Sequence, residues 1–175
     1  MNFGSYKLRI IEESDSIPFH GLVKNNSARL EDFFAGTVAK TKTEEDTRNF
    51  ILDNLSRHTE RKYYPFVIHD TGSHELIGFI DVKNIDWNIP KAELGCFIDR
   101  RYAGKGVSRQ ALELVIEFLS KDLGFKKLFL RTHETNTSAR TLAEKCGFEL
   151  EGTIRRDYKT TKGEMVDLLY YGMII

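Results

Sequence analysis

The chain has 175 residues, with 26 basic and 26 acidic side chains, so no net field draws it to nucleic acid or to an anionic membrane. At 41% hydrophobic residues it builds one ordinary core, and no apolar run approaches the ~20 residues of a membrane span. The start, Met1-Asn2-Phe3-Gly4-Ser5, lacks a signal-peptide pattern, so a soluble cytoplasmic protein is expected.

Residues 6–11 read as a first strand. Helices are expected over 16–34, with a break left open, and over 43–62. Thr43 precedes Glu44, Glu45 and Asp46, acids that suit a helix start, and Phe50, Ile51 and Leu55 keep helical spacing. Residues 64–69 and 75–81 form a hairpin-like pair around Asp70-Thr71-Gly72-Ser73. A strand follows over 93–99, then a helix over 108–123 with Ala111, Leu112, Val115, Ile116 and Leu119 on one face. Gly124 suits the end of that helix. A strand over 126–133, a helix over 136–146 and strands over 148–155 and 164–174 close the chain. This alternation argues an α/β fold with a mixed sheet. No repeat, low-complexity stretch or Pro/Gly linker suggests a second domain. Cys96 and Cys146 both sit in apolar contexts, as buried thiols do.

Between the strand at 93–99 and the helix at 108–123 lies Arg101-Tyr102-Ala103-Gly104-Lys105-Gly106-Val107-Ser108. A glycine turn that opens a helix presents bare N–H groups and the positive end of the helix dipole, which favour phosphate. It also serves simply to join a strand to a helix. Walker A requires Gly-x-x-x-x-Gly-Lys-Ser/Thr and the dinucleotide fingerprint requires Gly-x-Gly-x-x-Gly; neither fits.

The pattern that fits is Arg101-x-x-Gly104-x-Gly106, which resembles the pyrophosphate loop of the GNAT superfamily of N-acetyltransferases. The resemblance extends to Asn136-Thr137-Ser138-Ala139-Arg140 and to Glu144-Lys145-Cys146-Gly147-Phe148 downstream. Lys91-Ala92-Glu93-Leu94-Gly95, Glu151-Gly152-Thr153-Ile154-Arg155, Asp167-Leu168-Leu169-Tyr170-Tyr171 and Asn26-Ser27-Ala28-Arg29-Leu30 with Phe33 are similar to the branch that acetylates ribosomal-protein N-termini. The likeness spans residues 6–173, taken as one domain. It implies an α+β fold, with a mixed, mostly antiparallel sheet splayed between its fourth and fifth strands and flanked by helices. The cofactor inserts at the splay.

The implied chemistry is acetyl transfer from acetyl-coenzyme A to a primary amine by direct attack in a ternary complex, without a metal. The backbone N–H groups of Arg101, Gly104, Lys105, Gly106, Val107 and Ser108 are the candidates for holding the diphosphate. Lys105 or Arg109 adds charge there, or stays solvated. The resemblance implies that Cys96, Phe97 and Ile98 pair with the pantetheine arm. The Phe97 N–H would then hold the thioester oxygen, a donor worth ~3 kcal/mol of barrier. Asn136 caps a helix, contacts the cofactor arm, or does both; Arg140 reaches the nucleotide end or remains an exposed charge. Glu93 shares a strand face with residues 95 and 97 and is the candidate base, the alternative being a structural ion pair.

The proton donor departs from the family pattern. Relatives carry Ser at the fourth place of Asn-x-x-Ser, where this chain has Ala139, with Ser138 one place early. Others carry Tyr four residues before the Gly-Phe pair, where this chain has Ala143. Tyr158, Asp157 or a water are the substitutes. Weak acid–base equipment suits an α-amine, pKa ~8, better than a lysine at ~10.4. The five histidines lack metal-ligand spacing, and only His133 sits where a cofactor helix begins. Trp87 walls a substrate cleft or packs on the sheet edge. The expected acceptor is a ribosomal or other protein N-terminus, or a small amine such as a polyamine or aminoglycoside. The expected assembly is a monomer or homodimer. The competing readings are an acyl-coenzyme A-binding sensor without turnover and a nucleotide-binding module.

Overall fold

The computed structural model describes residues 1–175. In chain order its strands are β1 Asn2–Phe3, β2 Tyr6–Ile10, β3 Tyr64–Asp70, β4 Leu76–Asp86, β5 Lys91–Ile98, β6 Lys127–Thr132, β7 Glu149–Lys159 and β8 Met165–Ile174. Its helices are α1 Ser16–Leu30, α2 Ala35–Ala39, α3 Glu44–Thr59, α4 Val107–Lys121 and α5 Thr137–Lys145. The strands form one sheet in the order β1-β2-β3-β4-β5-β6-β8-β7. Every neighbouring pair is antiparallel except β5 and β6.

That parallel pair is short. Lys91 meets Lys127, Ala92 meets Leu128 and Glu93 meets Phe129, and pairing stops there. β5 then continues beside β4 as far as Ile98, while β6 continues beside β8 as far as Thr132. The sheet therefore opens between these two strands, which are the fourth and fifth when counted from Tyr6–Ile10.

Helices cover both faces. On one face α4 lays Ala111, Leu112, Val115 and Leu119 on Ile77, Ile80, Leu94 and Leu128. The spacing of those four residues is that of a single helical face. On the other face α1 and α3 bury Phe19, Leu22 and Ile51 against Val67, Phe79 and Phe97. Phe19 and Phe79 meet edge to face with centroids 5.1 Å apart, and Phe97 packs 5.7 Å from Phe79.

Several boundaries moved. The helix expected over 16–34 breaks after Leu30, because Phe34 leaves helical geometry and sets its ring edge-on to Phe97 at 5.1 Å. Tertiary packing overrides helix propensity there. Thr43 caps α3 as expected: its hydroxyl accepts from the Asp46 amide at 3.0 Å while Asp46 accepts from the Thr43 amide at 3.1 Å. β4 runs five residues past Asp81, since β5 offers it a partner as far as Lys91. Asp99 falls outside β5 and caps the next turn.

Phe19 is fully buried at the centre of the aromatic cluster. Phe19→Ala is expected to cost about 3–5 kcal/mol of unfolding free energy, measured by urea titration.

Candidate active site

The glycine turn takes the shape its residues dictate. Gly104 and Gly106 have φ of 77° and 80°, a region closed to most side chains. Gly106 opens α4, which has no side-chain cap, so the first-turn amides of that helix find no protein acceptor from a capping group. The turn is tied down from outside. The Tyr102 hydroxyl donates to Asp70 at 2.9 Å, and the Arg101 guanidinium bridges Asp99 and Glu75 at 3.2 Å.

Groups of three residues in the expected phosphate set are engaged elsewhere. The Arg101 amide donates to Asp99 Oδ1 at 2.8 Å, so it is a cap donor rather than a free one. Lys105 lies with its Nζ 5.1 Å from the Tyr102 ring centre, and Arg109 is paired with Glu113 at 2.8 Å.

Above the turn lies the gap between β5 and β6. The Asp99 amide donates to the Ile77 carbonyl, and the β4–β5 register is unbroken from Gly78↔Ile98 to Lys83↔Glu93. Hydrogen-bonding direction alternates along a strand. Residues 93, 95 and 97 therefore turn their peptide groups to β4, and Leu94, Cys96 and Ile98 turn theirs to the gap. This corrects the expectation for Phe97. Its N–H faces Phe79, and its ring belongs to the core.

The gap is the floor of a two-lobed cavity. The larger lobe, about 560 Å³, is lined by Ile98, Tyr102, the Gly104–Ser108 turn and the start of α5. The smaller, about 200 Å³, is lined by Glu93, Arg131, His133, Asp157 and Tyr158. Phe33, Phe34, Cys96, Asn136, Ala139 and Leu142 border both lobes. The lobes thus meet where Cys96 faces the start of α5. Asn136 caps that helix, its Oδ1 accepting from the Ala139 amide at 3.2 Å.

Charge is concentrated in the smaller lobe. Arg131 donates to Glu93 at 2.9 Å and to Asp157 at 2.5 Å, and its Nε has no partner. Asn84 also donates to Glu93 Oε2, at 2.6 Å. Desolvation works against the Arg131 charge, but Glu93 and then Asp157 outweigh it and raise its pKa. Lys83 sits 3.3 Å from Asp81, and desolvation there is outweighed by Asp81 and then Glu93, again raising the pKa. Asp32 lines the same lobe without an ion pair.

The two alanines at the relatives' acid positions differ in placement. Ala139 borders both lobes, whereas Ala143 is fully buried on the core-facing side of α5. Tyr158 is the phenol in the smaller lobe, and its oxygen accepts from the Ala35 amide at 3.2 Å. Arg140 is absent from the lining of the larger lobe, donating instead to Tyr171 at 3.4 Å and to the Glu134 carbonyl at 3.1 Å. Trp87 packs at a tilt on Phe125, with ring centres 4.8 Å apart, and donates to the Arg61 carbonyl at 3.0 Å, so it packs at the β4–β5 turn and does not line the cavity. Arg29, Asp32 and Phe34 were not expected at the site; they reach it because α1 ends beside the gap.

Cys146 is buried as expected, whereas Cys96 is only half-buried beside the cavity; desolvation still pushes the Cys96 thiol up to about 12 and Cys146 to about 11, the Ser108 hydroxyl offsetting part of the rise at Cys96. At pH 8 only roughly one part in ten thousand of Cys96 is then thiolate, too little for a nucleophile. Iodoacetamide at pH 8 should leave both cysteines unmodified in the folded protein and alkylate both in urea, as read by mass spectrometry.

Residues 7–149 match the family model described as an acetyltransferase (GNAT) domain. The chain is 26% identical over 152 residues to a ribosomal-protein-serine acetyltransferase of Escherichia coli, covering 87% of this chain and 83% of that protein. It is 26% identical over 151 residues to a spermidine N(1)-acetyltransferase of Vibrio cholerae, covering 86% and 83%. Its fold superposes with a TM-score of 0.91 on a ribosomal L7/L12 α-N-protein acetyltransferase solved in complex with coenzyme A, at 21% identity and covering 99% and 96%. The chain belongs to the GNAT acetyltransferase family, and the parting of β5 from β6 is where that fold has its opening.

Proposed function

We propose that this protein moves the acetyl group of acetyl-coenzyme A to the N-terminal α-amine of a protein. The observation that carries the reading is the gap after Glu93, where the Cys96 and Ile98 peptide groups face a cavity with the glycine turn at one end and titratable groups at the other. When bound, the cofactor supplies the acetyl group as a thioester.

The residues present fit that cofactor. Its arm is an extended chain with amides, and β5 offers peptide groups at every second residue for it to pair with as an added strand. The uncapped start of α4 takes the diphosphate on the amides of Gly106, Val107 and Ser108, with Gly104 letting the turn close. Cys96 stands where the two lobes meet, so its N–H holds the charge that develops on the thioester oxygen. A donor so placed contributes ~3 kcal/mol.

Proton transfers fall to the smaller lobe. Glu93 accepts the proton of the incoming amine, held in place on Oε2 by Asn84 and Arg131. Tyr158 would give its phenolic proton to the departing sulfur, and solvent would then reprotonate the phenolate and take up the proton held by Glu93. The Tyr158 oxygen already accepts from Ala35, which leaves the phenolic hydrogen free to donate.

The charge pattern favours a singly charged acceptor. A polyamine needs several unpaired carboxylates, but Glu93 and Asp157 are both bound by Arg131, and Asp32 alone remains. At neutral pH roughly a tenth of an α-amine is already neutral, against well under one percent of a lysine. A site with one positioned phenol therefore suits the α-amine. The similarity to the ribosomal-protein-serine acetyltransferase agrees with this choice, while the spermidine N(1)-acetyltransferase marks the alternative.

Release of coenzyme A thiol, followed with peptides bearing free or blocked N-termini and with spermidine, tests the proposal. Turnover is expected with the free N-terminus and lost when it is blocked. Faster turnover with spermidine would move the assignment to polyamines, and thiol-cofactor binding without turnover on any amine would remove the enzyme reading. Tyr158→Phe should lower kcat about a hundredfold, with KM for acetyl-coenzyme A within about twofold of the parent.

A further inference from the structure

The α1 run Asn26-Ser27-Ala28-Arg29-Leu30 enters the larger lobe through one side chain, Arg29. Arg29 Nη2 donates to the Ile98 carbonyl, one of the peptide oxygens that face the gap. It also donates to Asn26 Oδ1 at 3.2 Å. Asn26 is buried and fixed from both ends: its Oδ1 accepts from the Arg100 amide at 3.1 Å, and its Nδ2 donates to the Leu22 carbonyl at 2.9 Å. The guanidinium is thus held where β5 ends and the glycine turn begins.

No carboxylate forms an ion pair with Arg29. Asp99, the acid whose charge acts on it, is already engaged by the Arg101 amide and guanidinium. Desolvation lowers the Arg29 pKa, Asp99 restores part of it, and Arg100 lowers it further. The other guanidinium lining this lobe, Arg109, is neutralised by Glu113. An arginine has five N–H donors, and both bonds made here come from Nη2. Nη1 and Nε are left without a protein acceptor, in a lobe that the uncapped start of α4 also lines.

We infer that Arg29 is the counter-charge for the cofactor's diphosphate, with Nη1 and Nε on phosphate oxygens while Nη2 keeps the Ile98 carbonyl; this rests on the cofactor reading above. Charge-assisted bonds from a guanidinium fork suit paired phosphate oxygens. Because the Ile98 carbonyl already accepts from Arg29, pairing of the cofactor arm with β5 falls to the Ile98 N–H and to the peptide groups of Cys96 and Leu94. Arg29 therefore sets both where the diphosphate sits and where the arm begins to pair.

Calorimetric titration of Arg29→Gln and Arg29→Lys with coenzyme A and with pantetheine, which has the arm but no diphosphate, tests this. Glutamine keeps a donor for Ile98 and removes the charge. The expected result is coenzyme A binding weakened about tenfold in Arg29→Gln and within about threefold of the parent in Arg29→Lys, with pantetheine affinity unchanged. Added salt should weaken the parent more steeply than Arg29→Gln. Unchanged coenzyme A affinity in Arg29→Gln, equal losses for both ligands, or equal salt dependence overturns the inference while leaving the cofactor reading intact. A parent protein that binds no coenzyme A overturns both.

Discussion

The loss of pairing between β5 and β6 after Glu93 is the constraint on which the rest of the structure depends. A strand inside a sheet normally satisfies its peptide groups on both sides. Here β5 keeps β4 and β6 keeps β8, so one side of Cys96 and Ile98 has no strand beside it. These peptide groups line the cavity and are free to pair with what enters it. Arg29 already donates to the Ile98 carbonyl. The starts of α4 and α5 stand beside the opening, one uncapped and one capped by Asn136. The uncapped amides of the α4 start line the same cavity as that gap.

The polar floor of the smaller lobe explains the run Ala92-Glu93-Leu94-Gly95. Glu93 anchors Arg131, and Arg131 in turn reaches Asp157 on β7, so three strands are joined across the gap by one guanidinium. Gly95 leaves room for the Asp81 carboxylate: a Cβ at that position would stand 2.2 Å from Asp81 Oδ1. Asp81 uses that room to accept from the Tyr63 hydroxyl at 2.9 Å and to hold Lys83. Buried ion pairs contribute little net stability because desolvation offsets their attraction. Their effect here is to leave most charges in the lobe neutralised before a substrate arrives.

The glycine turn was legible because positive φ at Gly104 and Gly106 is a property of the residue type, and α4 because its apolar stripe has one period. The cap at Thr43 was legible for the same local reason. Phe97 was half legible. Alternation placed its side chain correctly with residues 93 and 95, but peptide direction has the opposite consequence and follows from the register with β4. Arg101 and Arg140 were read as cofactor contacts from their place in a motif, yet Asp99 and Tyr171 hold them elsewhere. Arg29 was visible only as a letter in a run, since nothing local says that α1 ends against the last residue of β5.

The amino-acid sequence by itself determined the elements, the turn that opens α4 and the absence of a hydroxyl at Ala139 and Ala143, because each depends on residue type and short spacing. Only the tertiary structure decided which peptide groups face the gap, which charges are already neutralised and which donors of Arg29 stay free. Those properties arise between segments far apart in the chain, from strand register and helix docking, and no local pattern encodes either.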